Sequence, residues 1–300
     1  MPPRQAAQQK PRSLRGNPIV PYLFVLPYLV VFLFFRLGPS IAGFFISLTD
    51  WKMIGSPKWI GLANYESLLV DPQFHTSLIN TFYFMLLTAP PLVFFGLLLA
   101  LLVDQHLHGR VIARTAIFLP YIVMSTVTGV IWLWVFNQHS GVLNYYLGLL
   151  GIRPIPWLAS TTWAMPAVSI ATIWWTVGFN MIIFLAGLQD VPQELEEAAR
   201  VDGASEWSVF CHVTLPLLAP ATFVVVLLTL INTFQAFDQI YVMTGGGPSL
   251  ATLTVIQYLY YEAFSHFRLG YGSAVAYVVL AVLVVFALIQ RRLLPEEETP

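Results

Sequence analysis

Long apolar runs separated by short polar stretches dominate this sequence. Six of these runs are close to the roughly 20 residues that a helix needs to cross a bilayer. We therefore predict spans at about 21–48, 79–103, 115–136, 163–188, 219–243 and 271–289. Arg36 interrupts the first run, and we expect that helix to continue past it, with the guanidinium reaching toward the interface or facing another helix. The pattern predicts an all-α, polytopic membrane protein.

Composition supports that interpretation and excludes several functions. The chain is 57% hydrophobic and 10% charged, with a mean hydropathy of +0.73. A net charge of −1 gives no sign of a nucleic-acid partner. No Gly-x-x-x-x-Gly-Lys-Ser/Thr motif occurs, so the chain should bind no ATP through a P-loop. We predict no cofactor and no metal in this chain, and Cys211, its only cysteine, allows no intrachain disulfide.

The distribution of basic residues predicts the orientation, because Lys and Arg accumulate on the cytoplasmic side. With the N-terminus inside, the inner side holds Arg4, Lys10, Arg12, Arg15, Arg110, Arg114, Arg200, Arg291 and Arg292, against Lys52, Lys58, Arg153 and Arg268 outside. We therefore expect both termini in the cytoplasm. The chain divides into a basic cytoplasmic tail at 1–18, a six-span domain at 19–293 and a cytoplasmic tail at 294–300.

The stretch 190–218 is the most polar interior segment and lies between the fourth and fifth spans. Pro192 suits a first helical turn, and Glu196 and Arg200 can pair at i,i+4. Gly203 predicts a stop, and Ser205 can cap a second short helix. The expected product is a helix–turn–helix at the membrane surface, and a simple amphipathic connector has the same shape.

Residue identities in this stretch favour something more specific. Glu197-Ala198-Ala199, Gly203, Leu215 and Pro216 resemble the cytoplasmic loop of ABC importer permeases, with Val213 in place of the usual Ile. The carbohydrate-importing, maltose-type branch is similar also at Gly61-Leu62-Ala63-Asn64-Tyr65, Phe118-Leu119-Pro120 and Thr244-Gly245-Gly246-Gly247-Pro248. The resemblance covers nearly the whole chain.

The resemblance implies the ABC type I importer permease fold and a set of partners. These are a second homologous permease, a dimer of cytoplasmic ATPases that holds ATP and Mg, an external solute-binding protein and a sugar, in a bacterial or archaeal inner or plasma membrane. The loop at 190–218 would couple to the ATPase through Glu197, Ala198, Ala199, Asp202, Gly203, Leu215 and Pro216. The Gly-Gly-Gly-Pro loop would belong to the surface on which the binding protein docks.

Polar side chains inside the fourth and fifth spans are candidates for cargo contacts, since such groups are costly in lipid. By i,i+3/i+4 spacing they form two helix faces. One face carries Thr172, Trp175, Thr176 and Phe179, and the other carries Thr229, Asn232, Thr233 and Ala236, with Asp238 near the outer end. Aromatic rings, hydroxyls and amides suit a neutral sugar. Hydrogen bonding between helices is the alternative role.

Three other functions compete with sugar import. An intramembrane enzyme would need a nucleophile–base or metal constellation, and no span contains a His. An ion-coupled secondary transporter would want carboxylates near mid-membrane, where Asp238 is the only candidate. The closest alternative keeps the mechanism and changes the cargo to glycerol phosphate, a polyamine or another solute. Phosphate would favour an Arg in the cavity, and Arg36 is the only one available.

Overall fold

A computed structural model describes residues 19–105 and 109–293, so the predicted tails at 1–18 and 294–300 lie outside the described residues. Within these ranges the chain is helical and forms no β-strand. The helices are α1 (Ile19–Phe32), α2 (Gly38–Ser47), α3 (Ala63–Val70), α4 (Pro72–Asp104), α5 (Arg110–Ile122), α6 (Ser125–Val135), α7 (Val142–Leu149), α8 (Ala164–Gln189), α9 (Gln193–Val201), α10 (Glu206–Val209), α11 (Leu215–Leu217), α12 (Ala219–Phe234), α13 (Asp238–Met243), α14 (Val255–Tyr260) and α15 (Leu269–Leu293). One-turn π-helices lie at Leu33–Leu37, Phe210–Thr214 and Tyr261–Ser265.

Five stretches within the described residues are long and apolar enough to cross a membrane, and a sixth exists if one bent helix pair counts as a single span. The five are Tyr22–Ser47, Pro72–Asp104, Ala164–Gln189, Ala219–Met243 and Leu269–Arg292. The second begins earlier than predicted because Asp71 caps it, its carboxylate accepting from the backbone N–H groups of Gln73 and Phe74. That helix continues through Pro90 and Pro91.

The span predicted at 115–136 is a bent pair of helices rather than one straight helix. Helices α5 and α6 meet at an angle of 98°, because the backbone at Val123 and Met124 is extended. A break at membrane depth needs partners for the freed backbone groups. The indole Nε1 of Trp175 donates to the carbonyl of Val123 at 2.9 Å and supplies one.

Helices α4, α8 and α12 form the centre of the bundle. Close contact between α4 and α8 requires a glycine, since a Cβ on Gly96 would lie 2.8 Å from the Cβ of Asn180. Asn180 in turn donates from Nδ2 to the hydroxyl of Thr229 on α12 at 2.9 Å. The core therefore contains an interhelical hydrogen bond, which apolar surroundings favour.

A second layer covers one end of this centre. Helix α15 packs against α2, α3 and α14. Asn64 on α3 donates to the carbonyls of Ser47 and Thr49 and fixes the end of α2. The hydroxyls of Tyr258 on α14 and Tyr271 on α15 both donate to the Asp71 carboxylate, which joins the starts of α4 and α15.

Candidate functional site

The nine predicted cargo contacts lie together around one cavity of about 300 Å³ between α8 and the broken helix α12–α13. Six further residues complete the lining: Leu92, Tyr121, Asn180, Gln235, Phe237 and Gln239. Sequence spacing had placed eight of them on two separate helix faces, with Asp238 near the outer end of the fifth span. The structure brings those faces together because α8 and α12 cross in the bundle centre. Whether these residues bind cargo stays a prediction.

Aromatic rings form one wall of the cavity. Tyr121 stacks on Phe179 with ring centroids 4.8 Å apart and planes tilted by 23°. Trp175 lies 6.0 Å from the ring of Tyr121. Sequence reasoning missed Tyr121 because it belongs to α5, a different helix that packs directly against α8. The flat surface suits the apolar face of a sugar ring.

The polar residues around the cavity have two roles. Thr172 and Thr229 are buried and bonded to neighbouring helices: Gln239 Nε2 donates to the Thr172 hydroxyl at 3.4 Å, and Asn180 donates to Thr229. These two fit the interhelical alternative. The Thr176 and Thr233 hydroxyls donate to carbonyls one turn earlier, those of Thr172 and Thr229.

Two amide side chains are open to the cavity space. Asn232 on α12 and Gln235 just after it are exposed, and among the contacts of the described residues neither side chain has a hydrogen bond. Both therefore have their full hydrogen-bonding capacity for a ligand.

Asp238 begins the short helix after the break in the fifth span. Its Oδ2 accepts from the Ser125 hydroxyl at 2.8 Å, at the start of α6. The two short helices pack closely, because Gly129 on α6 lies against Val242 on α13. Thus the two broken spans meet at one edge of the cavity, and this carboxylate connects them.

None of the described residues that line the cavity is Arg, Lys or His. Arg36, the one span cation that might have served an anionic ligand, lies in a different groove, beside α15. No group of three His, Cys, Asp or Glu side chains within the described ranges could hold a metal ion. The lining therefore suits an uncharged, hydroxyl-rich molecule better than a phosphate.

The 190–218 segment forms the expected helix–turn–helix. Helix α9 begins after Pro192, and Gly203 has φ +87°, a value that favours glycine. The Ser205 hydroxyl accepts from the N–H of Ser208 and caps the second arm. That arm continues as α10, the π turn and α11.

A carboxylate and a guanidinium connect the two arms. The Thr214 hydroxyl donates to Glu196 Oε1 at 2.7 Å, and Arg200 lies 3.5 Å from Glu196 Oε2 and 2.9 Å from Glu206 Oε1. The hydrogen bond from Arg200 lowers the pKa of Glu206, and the reverse contact raises the pKa of Arg200. Sequence reasoning found the Glu196–Arg200 pair and missed Thr214 and Glu206, whose positions depend on the turn.

Most of the predicted coupling residues lie at the surface of this segment. Six are exposed, and Ala199 is half-buried: Glu197, Ala198, Asp202, Gly203, Leu215 and Pro216. Beside them Val201 is 86% exposed and Trp207 is 73% exposed. Large apolar side chains next to a polar surface typically mark a contact with another protein.

Comparison with known proteins identifies the family. Residues 72–297 match the family described as "binding-protein-dependent transport system inner membrane component". The chain belongs to this family. It is 36% identical to a probable ABC transporter permease protein, YurN of Bacillus subtilis, over 92% of this chain and 96% of that protein. It is also 36% identical to the trehalose/maltose transport system permease protein MalF of Thermococcus litoralis, over 89% and 91%.

A third relative has a different cargo in its name. The sn-glycerol-3-phosphate transport system permease protein UgpA of Agrobacterium fabrum is 35% identical, over 92% of this chain and 94% of that protein. Among solved structures, a chain of a bacterial ABC transporter involved in the import of alginate superposes with a TM-score of 0.81 at 23% identity, over 93% and 96% of the two chains. The chain therefore has the type I importer permease fold, and it is a membrane-embedded transport subunit rather than an enzyme.

Proposed function

We propose that this chain is one of two pore-forming subunits of an ATP-driven importer and that it carries an uncharged sugar. An external binding protein delivers the sugar, and a dimer of cytoplasmic ATPases holding ATP and Mg drives the cycle. The chain spans the inner or plasma membrane with both termini and the 190–218 segment in the cytoplasm. The observation that carries the proposal is the cavity. Its main lining helices, α8 and α12, directly precede and follow the 190–218 segment in the chain.

The cavity chemistry supports a sugar over an anionic cargo. Relatives of similar identity are named for trehalose or maltose and for glycerol phosphate, so identity alone does not choose between them. A stack of Tyr121, Trp175 and Phe179 provides an apolar platform, and Asn232 provides directional hydrogen bonds. The single carboxylate, Asp238, repels anions in a cavity whose described lining lacks basic side chains.

The 190–218 segment supports the coupling role. Its exposed Glu197 offers a charged contact, and Val201 and Trp207 offer apolar anchors of the kind that fill pockets at protein interfaces. The bonds of Glu196 and Arg200 hold the two arms at a fixed angle. A rigid segment between α8 and α12 can transmit an ATPase movement to both cavity walls.

The test uses the complex of this chain with its cognate partners in reconstituted membranes. Thr176→Trp or Thr233→Trp should fill the cavity and block sugar uptake, while Ile170→Trp, at an exposed position of α8, should leave uptake near normal. Glu197→Ala should leave assembly intact and abolish the rise in ATP hydrolysis on addition of loaded binding protein. Normal uptake by both Trp variants would move the cargo path elsewhere. Full stimulation of ATP hydrolysis in Glu197→Ala would show that 190–218 is only a connector between two spans.

A further inference from the structure

Arg36 lies in the middle of an apolar helix. It occupies the π turn Leu33–Leu37 near the centre of the span Tyr22–Ser47. Ser47 lies 11 residues further on, about 16 Å at 1.5 Å per residue, which is farther than an arginine side chain reaches. A charge at this depth costs about 2.5–3.5 kcal/mol even on insertion scales. The guanidinium therefore needs a partner within the membrane.

The described part of the chain supplies no such partner. Arg36 is exposed, and no carboxylate of residues 19–105 or 109–293 is within ion-pair distance of it. The hydroxyl of Ser40 donates to its backbone carbonyl at 2.7 Å and leaves the guanidinium free. No residue in the most apolar 18-residue stretch of this span is buried by the rest of the described fold.

A groove surrounds the guanidinium. It has a volume of about 600 Å³ and runs between the first span and α15. Both walls carry small side chains: Gly43 and Ser40 on one, Ala276 and Ser273 on the other. Small side chains allow the backbone of another helix to come close. The Tyr277 hydroxyl donates to the Ser40 carbonyl and holds the two walls together.

We propose that this groove receives a transmembrane helix of the second permease subunit, and that the helix presents a carboxylate to Arg36. The proposal rests on the two-permease assembly of the proposed function. Charge complementarity selects the occupant: an acyl chain offers no group to pair with a guanidinium, and lipid headgroups lie too far from mid-membrane. A carboxylate on a helix at the same depth satisfies both charges.

Co-purification of this chain with its cognate second permease tests the proposal. Arg36→Leu and Arg36→Glu should each lower the recovered second permease by about tenfold, a change of about 1.4 kcal/mol, while Arg36→Lys retains most of it. Gly43→Trp should fill the groove and act likewise. Val31→Trp, exposed on the same span and outside the groove, is the matched control. Replacing the partner's mid-membrane carboxylate with Arg should restore recovery to Arg36→Glu.

The outcomes separate the two proposals. Wild-type chain that recovers no second permease overturns the two-permease assembly itself. Wild-type recovery with equal recovery by Arg36→Leu and Gly43→Trp overturns the groove assignment alone and leaves the groove to lipid. Leu at position 36 favours membrane insertion, so loss of recovery in that variant cannot come from failure to insert.

Discussion

At the scale of single side chains, Glu196 links the two arms of the 190–218 segment. It is half-buried, and its two oxygens contact different partners: Oε1 accepts from Thr214 on the second arm, and Oε2 faces Arg200 on its own helix. Arg200 in turn pairs with Glu206 beyond the turn. The neighbouring Glu197 has the surface position for a contact with another protein. The two adjacent carboxylates therefore have different surroundings: Glu196 bonds within the segment, and Glu197 is exposed.

We expect Glu196→Ala to weaken coupling and Glu196→Gln to preserve most of it. The amide oxygen of Gln still accepts from Thr214, whereas Ala loses a bond of about 1 kcal/mol and leaves a buried hydroxyl unpaired. The measurement is the ratio of binding-protein-stimulated to basal ATP hydrolysis in the reconstituted complex. Glu194→Ala, exposed on the same helix, is the control. Equal ratios for the Ala and Gln variants would contradict the positioning role.

Asp71 is a second residue whose contacts predict a measurable effect. Burial alone raises its pKa, but hydrogen bonds from Tyr258, Tyr271 and the N–H groups of Gln73 and Phe74 outweigh burial and hold the pKa below 3.8. A depressed pKa means that this carboxylate stabilises the fold above its ordinary pKa. The stabilisation is lost as the pH falls through the lower, folded-state value.

Tyr258→Phe removes one of these bonds, so the acid-induced loss of stability should begin at higher pH, closer to 3.8. At pH 7 the variant should be less stable by roughly 1 kcal/mol. Thermal unfolding of the purified protein between neutral pH and about pH 3 measures both effects. Tyr260→Phe, on the same helix and away from Asp71, is the control. An acid profile identical to wild type would show that Tyr258 does not stabilise the carboxylate.

At the scale of elements, the bend between α5 and α6 shapes the cavity. Tyr121, just before the bend, forms part of the aromatic wall, and the bend directs α6 toward α13. Gly178 on α8 makes the approach possible, since a Cβ there would lie 2.4 Å from the carbonyl oxygen of Ile117 and 2.8 Å from the Cα of Phe118. Both neighbours are backbone atoms, so neither can move away by a change of side-chain rotamer.

We therefore expect Gly178→Ala to lower stability by roughly 1–3 kcal/mol, the usual cost of overpacking. Gly148→Ala is the matched control: Gly148 lies in α7 with no atom within 4 Å of the added Cβ, and the change should be neutral or slightly stabilising. Thermal unfolding of the two variants makes the comparison. Equal stability would mean that α5 and α8 can separate at little cost.

The elements differ in how far the sequence could predict them. Apolar length located the long helices, and i,i+3/i+4 spacing selected eight of the nine predicted residues that line one cavity, because both signals are local. The bend at Val123 lacks such a signal: Pro120 lies within α5, and the hydrogen bond to the Val123 carbonyl comes from Trp175, 52 residues away. Thr214 meets Glu196 for a similar reason, through the turn at Gly203.

At the scale of the whole molecule, two of the surfaces that the described residues leave uncovered differ in character. One is the first span, with exposed Phe24, Phe34 and Phe35 along its length. The other is the polar surface of the 190–218 segment, with Val201 and Trp207. These two surfaces suit different surroundings. The first suits an apolar environment, and the second suits contact with a folded protein in water. Both fit a subunit of a larger assembly.

Helix α8 runs without a break from Ala164 to Gln189. It carries Thr172, Trp175, Thr176 and Phe179 and then leads directly into the 190–218 segment. Inserting or deleting one residue between Phe179 and Gln189 would turn one end by about 100° relative to the other. The 190–218 segment would then lie at a different angle around the helix axis relative to the cavity residues. The length and angular phase of this helix therefore fix the direction of the 190–218 segment relative to the cavity.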